Sequence, residues 1–297
     1  MTERTFKFFT CDVFTEHRFG GNPLAVLTDA RGLTVEQMQA IATEFNFSET
    51  TFVLPPADPR NTARVRIFTP TRELPFAGHP TVGTAFVLAT IGVVGRETRD
   101  IVFEENVGPV SVRVDRDGAR VTRCTLTVAQ LPQQGPPAPA RDALAEMLSL
   151  ETKDILDGAE CWSCGLPFLV IPVNGIAALA RCVPNAAAVA RTLANYATQA
   201  MYPVAREGAE VWRVRSFVPH KVIVEDPATG SAAAAFSGWL ATRAQRADGN
   251  LRYRLNQGIE MGRPSELALD IDRVDGRISA VRVGGASVMV TEGTLTA

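Results

Sequence analysis

Three segments of this chain occur twice, in the same order, roughly 150 residues apart. Gly21-Asn22-Pro23-Leu24-Ala25-Val26-Leu27 is echoed by Gly165-Leu166-Pro167-Phe168-Leu169-Val170-Ile171, an offset of 144 (165 − 21). Arg64-Val65-Arg66-Ile67-Phe68-Thr69-Pro70 is echoed by Arg213-Val214-Arg215-Ser216-Phe217-Val218-Pro219, an offset of 149 (213 − 64). The turns at Gly78 and Gly230 are 152 apart (230 − 78). Offsets that drift upward along the chain are what small loop insertions produce. The period is far too long for a solenoid. A duplicated domain follows, each half running strand, helix, strand, turn, buried helix.

At 297 residues the chain is large for one core and comfortable for two. Period and punctuation place the elements. Strands are predicted at Phe6 to Phe14, Leu24 to Leu27, Thr50 to Leu54 and Ala63 to Phe68, with a helix from Thr34 to Phe45 opened by a Thr34–Gln37 capping box. Pro80 to Ile91 is the first buried helix. Strands follow at Ile101 to Glu105, Val110 to Asp115 and Val121 to Thr127, with Asp117-Gly118 as a hairpin turn. Gln133 to Ala140, with three prolines and a glycine, reads as a linker, and Gln257 to Leu269 and Val281 to Val290 as late strands. The fold class is α+β: two pseudo-symmetric domains, each a barrel-like, mostly antiparallel sheet around a central helix. The predicted domains are residues 1–130 and residues 131–282, with a last strand at about 283–297.

The two special turns share a design. Phe76-Ala77-Gly78-His79-Pro80-Thr81 leads into a helix of small residues, and Glu225-Asp226-Pro227-Ala228-Thr229-Gly230-Ser231 leads into Ala232 to Ala235. Small residues suit a helix wrapped closely by a sheet, although alanine is also common in helices for propensity alone. A helix start aims unpaired N–H groups and a positive dipole end outward, which suits an anion.

Composition narrows the function. A formal charge of −2 makes no electrostatic case for nucleic acid or an anionic membrane, and no apolar run approaches the roughly 20 residues of a membrane helix. Met1-Thr2-Glu3-Arg4 leads into a strand rather than a signal peptide, so a cytoplasmic protein is expected. Cys161-Trp162-Ser163-Cys164 precedes a turn into a strand, not a helix, and has no second C-x-x-C, so two buried small apolar residues is the better reading than a redox or metal site.

Three ionisable residues stand at turns: Glu49 at a helix-to-strand junction, His79 on the first special turn and Asp226 on the second. One carboxylate can take a proton from carbon and return it elsewhere, a second group can hold the substrate, and backbone N–H groups of Gly78, His79, Gly230 and Ser231 can hold a substrate carboxylate. This chemistry asks for no metal, nucleotide or other cofactor. Each residue also has a plain structural reading: Glu49 as an exposed helix-end acid, His79 and Asp226 as turn residues, Ser231 as a cap. His17 stays open and His220 reads as a surface residue.

Asp12-Val13-Phe14-Thr15, Phe19-Gly20-Gly21-Asn22-Pro23-Leu24-Ala25-Val26, Ser48-Glu49-Thr50, Ala77-Gly78-His79-Pro80-Thr81, Glu225-Asp226-Pro227-Ala228-Thr229-Gly230-Ser231-Ala232 and Gln257-Gly258 with Gly262-Arg263-Pro264-Ser265 resemble the PhzF-like phenazine-biosynthesis isomerase family, over nearly the whole length. The resemblance implies the diaminopimelate-epimerase-like fold, with the active site between its two domains, the C-terminal strand at about 283–297 returning to the first domain, and pairing into homodimers. It implies Glu49 as the proton-shuttling glutamate, His79 and Asp226 as its companions, and Gly78, Gly230 and Ser231 as the substrate-binding turns. Related epimerases carry a cysteine on both turns. Here Cys11, Cys124, Cys161, Cys164 and Cys182 all lie elsewhere, which speaks against racemisation by two thiols. The segment Phe217-Val218-Pro219-His220-Lys221-Val222-Ile223-Val224 departs from the family pattern and is expected to line the cleft. The expected function is a cofactor-independent isomerase moving a proton between carbons of a small carboxylic acid, such as a cyclic amino or hydroxy acid. An amino-acid epimerase, or a non-catalytic protein that kept the fold to bind a metabolite or partner, are the alternatives.

Overall fold

The computed structural model describes residues 4–218, 224–245 and 248–297. The chain forms two compact units, Met1–Thr127 with Gly284–Ala297, and Val128–Val283.

In the first unit β1 (Thr5–Val13) pairs antiparallel with β2 (Asn22–Leu27). Helix α1 (Val35–Phe45) then carries the chain to β3 (Glu49–Leu54), which lies parallel to β2 with Leu24 opposite Glu49. Thr34 and Gln37 form the capping box foreseen for α1, and Asn46 ends the helix in the left-handed region at φ 53°. β3 pairs antiparallel with β4 (Ala63–Phe68), and β4 with the two-residue β5 (Glu73–Leu74). Helix α2 (Gly78–Thr90) follows. The meander β6 (Asp100–Glu105), β7 (Gly108–Asp117) and β8 (Arg120–Thr127) completes this stretch, with β6 parallel to β4.

Every residue of α2 from Gly78 to Ala89 is buried. A helix buried on all sides needs close approach, and Gly83 supplies it: a Cβ there would sit 2.6 Å from both Leu24 Cδ2 and Val13 Cγ2.

The second unit opens with β9 (Gln133–Pro137), antiparallel to β10 (Glu160–Ser163). The proline-rich stretch read as a linker is therefore partly a strand. Its pairing register with β10 shifts between Glu160 and Trp162, which leaves Gly135 and Pro136 without a partner in that ladder. Helix α3 (Arg141–Met147) lies between β9 and β10. β11 (Pro167–Pro172) runs parallel to β12 (Met201–Arg206) across α4 (Gly175–Arg181) and α5 (Ala186–Thr192). Then come β13 (Val211–Val214), β14 (Ser216–Phe217) and β15 (Glu225–Asp226), followed by α6 (Gly230–Arg243). β16 (Gly249–Gln257) is parallel to β13 and antiparallel to β17 (Ser265–Val274). Sequence periodicity read Gln257 to Leu269 as one strand. A 3-10 turn over Ile259–Met261 interrupts it, flanked by Gly258 and Gly262 at φ 75° and 70°. Gly258 is required there, since a Cβ would meet the Pro227 carbonyl oxygen at 2.6 Å.

β18 (Arg277–Gly285) and β19 (Ser287–Thr296) are likewise two strands where one was expected, separated at Ala286. β19 pairs with β1 along its whole length, from Thr5 opposite Thr296 to Val13 opposite Ser287.

The duplication is visible in register as well as order. Ile67 and Phe68 face Leu74 and Glu73 in the first unit, and Ser216 and Phe217 face Asp226 and Glu225 in the second. Each unit carries the same two-pronged ion pair here. Arg66 donates from Nε and Nη2 to Glu73 at 2.7 and 2.6 Å, and Arg215 donates from Nε and Nη2 to Glu225 at 2.7 and 2.8 Å. Each guanidinium also covers a phenylalanine of its own stretch, Phe68 at 5.2 Å and Phe217 at 4.6 Å. The pairs pin the short strand that delivers the chain to α2 or α6. Among the described residues, no helix is long and apolar enough to cross a membrane.

Candidate active site

Glu49 is the first residue of β3, delivered by the left-handed turn at Asn46. Alternation along the strand puts Thr51 on the same face as Glu49. The Thr51 hydroxyl lies 2.9 Å from the Thr84 hydroxyl of α2, both buried, so this face is fastened to the helix. His79 is the second residue of α2. Its Nε2 stands 3.6 Å from Glu49 Oε2, with only 5% of the imidazole and 17% of the carboxylate side chain exposed. Among the described residues Nε2 makes no hydrogen bond.

Burial pushes the His79 pKa down to about 3, and a hydrogen bond to the Pro23 backbone only partly opposes it. The ring is therefore neutral near pH 7. Its Nδ1 lies 3.2 Å from Asn22 Nδ2, and which ring nitrogen holds the proton sets the direction of that contact. Asn22 and Pro23 open β2, so the ring is oriented by the strand that also lies beside β3. The sequence singled out Asn22-Pro23 as part of a repeat and not as a support for His79.

The N-cap of α2 is Ala77, with no side-chain cap, and Pro80 has no N–H. The N–H groups of Gly78 and His79 are thus the ones this helix start can offer to a ligand. Thr81 Oγ1 lies 2.8 Å from the Ala77 carbonyl oxygen and 2.6 Å from Glu105 Oε1, beneath the same turn.

In the second unit Asp226 ends β15, and the Thr229 hydroxyl donates to its Oδ2 at 2.6 Å. Fully buried Gln257 braces the turn: its Nε2 donates to the Asp226 carbonyl at 2.8 Å, and its Oε1 accepts from Thr229 N–H at 3.2 Å. Thr229 is the N-cap of α6 with no side-chain cap bond into the helix, and Gly230 and Ser231 are its first two residues. The Tyr202 hydroxyl is buried without a hydrogen-bond partner among the described residues, and burial with the nearby Asp226 charge pushes its pKa up. Residues 219–223, including His220 and most of the segment expected to line the cleft, lie outside the described residues.

The structure brings Glu49 and His79 together and sets Gly78 beside them. Asp226, Gly230 and Ser231 form the corresponding turn of the second unit. The duplication shows what that unit lacks. Ala25 faces Thr50 and its counterpart Leu169 faces Met201, so the counterpart of Glu49 is Ala200, and that of His79 is Ser231 (79 + 152). One acid–imidazole pair has no duplicate.

Among the described residues no group of three His, Cys, Asp or Glu side chains is disposed around a metal position. All five cysteines are free, and burial pushes the thiols of Cys124, Cys164 and Cys182 up to about 12. Cys11 and Cys161 are raised by the same cause. None is poised as a thiolate, and Cys164 is only partly buried.

The profile of the PhzC-PhzF family, described as phenazine biosynthesis-like proteins, matches residues 11–293. The chain is 42% identical to an uncharacterised isomerase of Mesorhizobium japonicum, over 98% of this chain and 99% of the relative. It is 36% identical to the trans-2,3-dihydro-3-hydroxyanthranilate isomerase of Pseudomonas aeruginosa, over 97% and 98% of the two chains. The crystal structure of the Bacillus anthracis phenazine biosynthesis protein of the PhzF family superposes with a TM-score of 0.88 at 25% identity, covering 98% and 99%. The α+β fold and the isomerase activity expected from the sequence both stand.

Proposed function

Since the chain belongs to the phenazine biosynthesis-like PhzC-PhzF family, we propose that it moves one proton between two carbons of a small, cyclic amino or hydroxy carboxylic acid, with Glu49 taking and returning it. The observation that carries this reading is the desolvated Glu49–His79 pair at 3.6 Å. The Glu49 carboxylate removes a proton from an sp³ carbon. The C–H electron pair enters the conjugated system of the substrate, and the new carboxylic acid gives the proton to a second carbon of that system. Nothing is oxidised or reduced, so the step calls for no cofactor.

His79, neutral at its depressed pKa, hydrogen-bonds the substrate or the Glu49 acid without adding a competing charge. The N–H groups at the two helix starts, Gly78 in the first unit and Gly230 and Ser231 in the second, are the proposed substrate-binding groups. Asp226 receives an amine or hydroxyl of the substrate. A two-base epimerase would need a second acid–base pair, and Ala200 and Ser231 occupy those counterpart positions.

The test substrate is trans-2,3-dihydro-3-hydroxyanthranilate, on which the Pseudomonas aeruginosa relative acts, together with a thermal-shift panel of small cyclic amino and hydroxy acids. Glu49→Gln should lower turnover by about 10³-fold or more with little change in melting temperature. Full activity in that variant would remove Glu49 from the reaction. Dialysis against EDTA should leave the rate unchanged, and a rate restored only by added metal would contradict the proposal. As in the family resemblance, a homodimer is the proposed working state, which light scattering on the purified chain will test.

A further inference from the structure

Glu105 ends β6 and is 7% exposed, yet among the described residues it has no cationic partner. Its hydrogen-bond surroundings bear on its protonation. Thr81 Oγ1 is within bonding distance of two oxygens, the Ala77 carbonyl at 2.8 Å and Glu105 Oε1 at 2.6 Å. A hydroxyl has one hydrogen. The Ala77 carbonyl also accepts from the Thr81 N–H at 3.3 Å, so the hydroxyl is free to donate to Glu105 Oε1. The other oxygen, Oε2, has no hydrogen-bond partner among the described residues, an arrangement that is costly for a buried carboxylate and far milder for an acid.

The duplication gives an independent argument. Arg64 faces Glu104 across β4 and β6, and its counterpart Arg213 faces Asn256 across β13 and β16. The next residue is Glu105 in one unit and Gln257 in the other. Gln257 is a neutral hydrogen-bonding side chain that braces the turn opening α6. Glu105 occupies the equivalent place under the turn opening α2.

We propose that Glu105, held as the neutral acid, is a positioning residue for the reaction: by accepting from Thr81 Oγ1 it fixes the first turn of α2, and with it His79 against Glu49. The proposal rests on the reaction assigned to Glu49 and His79 for its catalytic consequence, but not for the state of Glu105. Burial pushes the Glu105 pKa up to about 8, and the Thr81 hydrogen bond only partly opposes it, so the side chain is neutral at pH 7 and becomes a buried charge under the turn in alkali. The neighbouring ionisable groups are otherwise engaged. His79 of α2 is neutral, Glu73 of β5 is held by Arg66 and Asn106, and Glu104 of β6 accepts from the Ala57 and Asp58 N–H groups and from Asn61.

Four full-length proteins test it: wild type, Glu105→Gln, Glu105→Leu and Thr81→Val. Infrared difference spectra between neutral and alkaline pH should show the band of a protonated carboxylic acid in wild type and lose it in Glu105→Gln. Nitrogen NMR of the His79 ring should match wild type in Glu105→Gln and shift in Glu105→Leu and Thr81→Val. Both readings need no substrate. In turnover, Glu105→Gln should retain the wild-type rate but not its alkaline decline, while Glu105→Leu and Thr81→Val should lose about tenfold or more in kcat with KM unchanged. A carboxylate signal for Glu105 at neutral pH, or an undisturbed His79 ring in both disrupted variants, would overturn the proposal. Should Glu105→Leu fail to fold, Thr81→Val and the infrared band decide it. Failure of Glu49→Gln to affect turnover would strike the reaction and leave these spectroscopic readings standing.

Discussion

Two buried ionisable side chains in the first unit are shifted in opposite directions, and both end up uncharged at neutral pH. His79 is lowered from 6.5 to about 3, so acidification across that window protonates the unfolded chain before the folded one. Its contribution to stability is complete above pH 6.5 and is lost as pH falls towards 3. Glu105 is raised from 4.5 to about 8, so its contribution is complete below pH 4.5 and is lost as pH rises through 8. Urea unfolding at a series of pH values should therefore show Glu105→Gln gaining on wild type from pH 5 to pH 9. His79→Asn should lose less stability than wild type on acidification from pH 6.5. Parallel curves for wild type and variants would contradict the assigned shifts. Sequence reading singled out Glu49, His79 and Asp226 because each stands at a break between elements, where chemistry-bearing residues are conspicuous. It could not find Glu105 or Gln257. A polar residue closing an alternating strand looks like a solvated edge, and only the packing of α2 and α6 over those strand ends makes them interior.

At the scale of elements, the two ion pairs that pin β5 and β15 differ in their surroundings. Arg66 and Glu73 have side chains 16% and 24% exposed, whereas Arg215 and Glu225 are 8% and 19% exposed. Arg215 Nη1 also donates to the carbonyls of Leu179, Ala180 and Cys182 at the end of α4. Arg215→Met should cost about 3 kcal/mol, because it strands a partly buried carboxylate and three helix-end carbonyls. Arg66→Met should cost less. Denaturant melts of the two variants measure the difference, and equal losses would show that the α4 contacts add nothing. The repeat of Arg-x-Phe with a later Glu was present in the sequence, and the capping box of α1 was read there residue for residue. The strand at Gln133–Pro137 was not, because proline count signals a linker while strand pairing depends on a neighbour found only in three dimensions. The 3-10 turn at Ile259–Met261 was missed because the glycines around it are equally compatible with a bulge.

For the molecule as a whole, the order of the chain was legible from its repeats, and the strand register makes them structural equivalents. β19 adds a feature that no local pattern announces, since it completes the first unit by pairing with β1 from far along the sequence. Ending the chain after Ala286 should raise amide hydrogen exchange across Thr5–Val13 and spare β16 and β17. Unchanged protection of β1 would mean that β2 alone holds it. The lone acid at position 49, matched by an alanine at position 200, carries a stereochemical corollary. When a single carboxyl group both removes and restores a hydrogen, that hydrogen departs and arrives over the same side of the substrate plane, so the newly formed stereocentre is dictated by the old one.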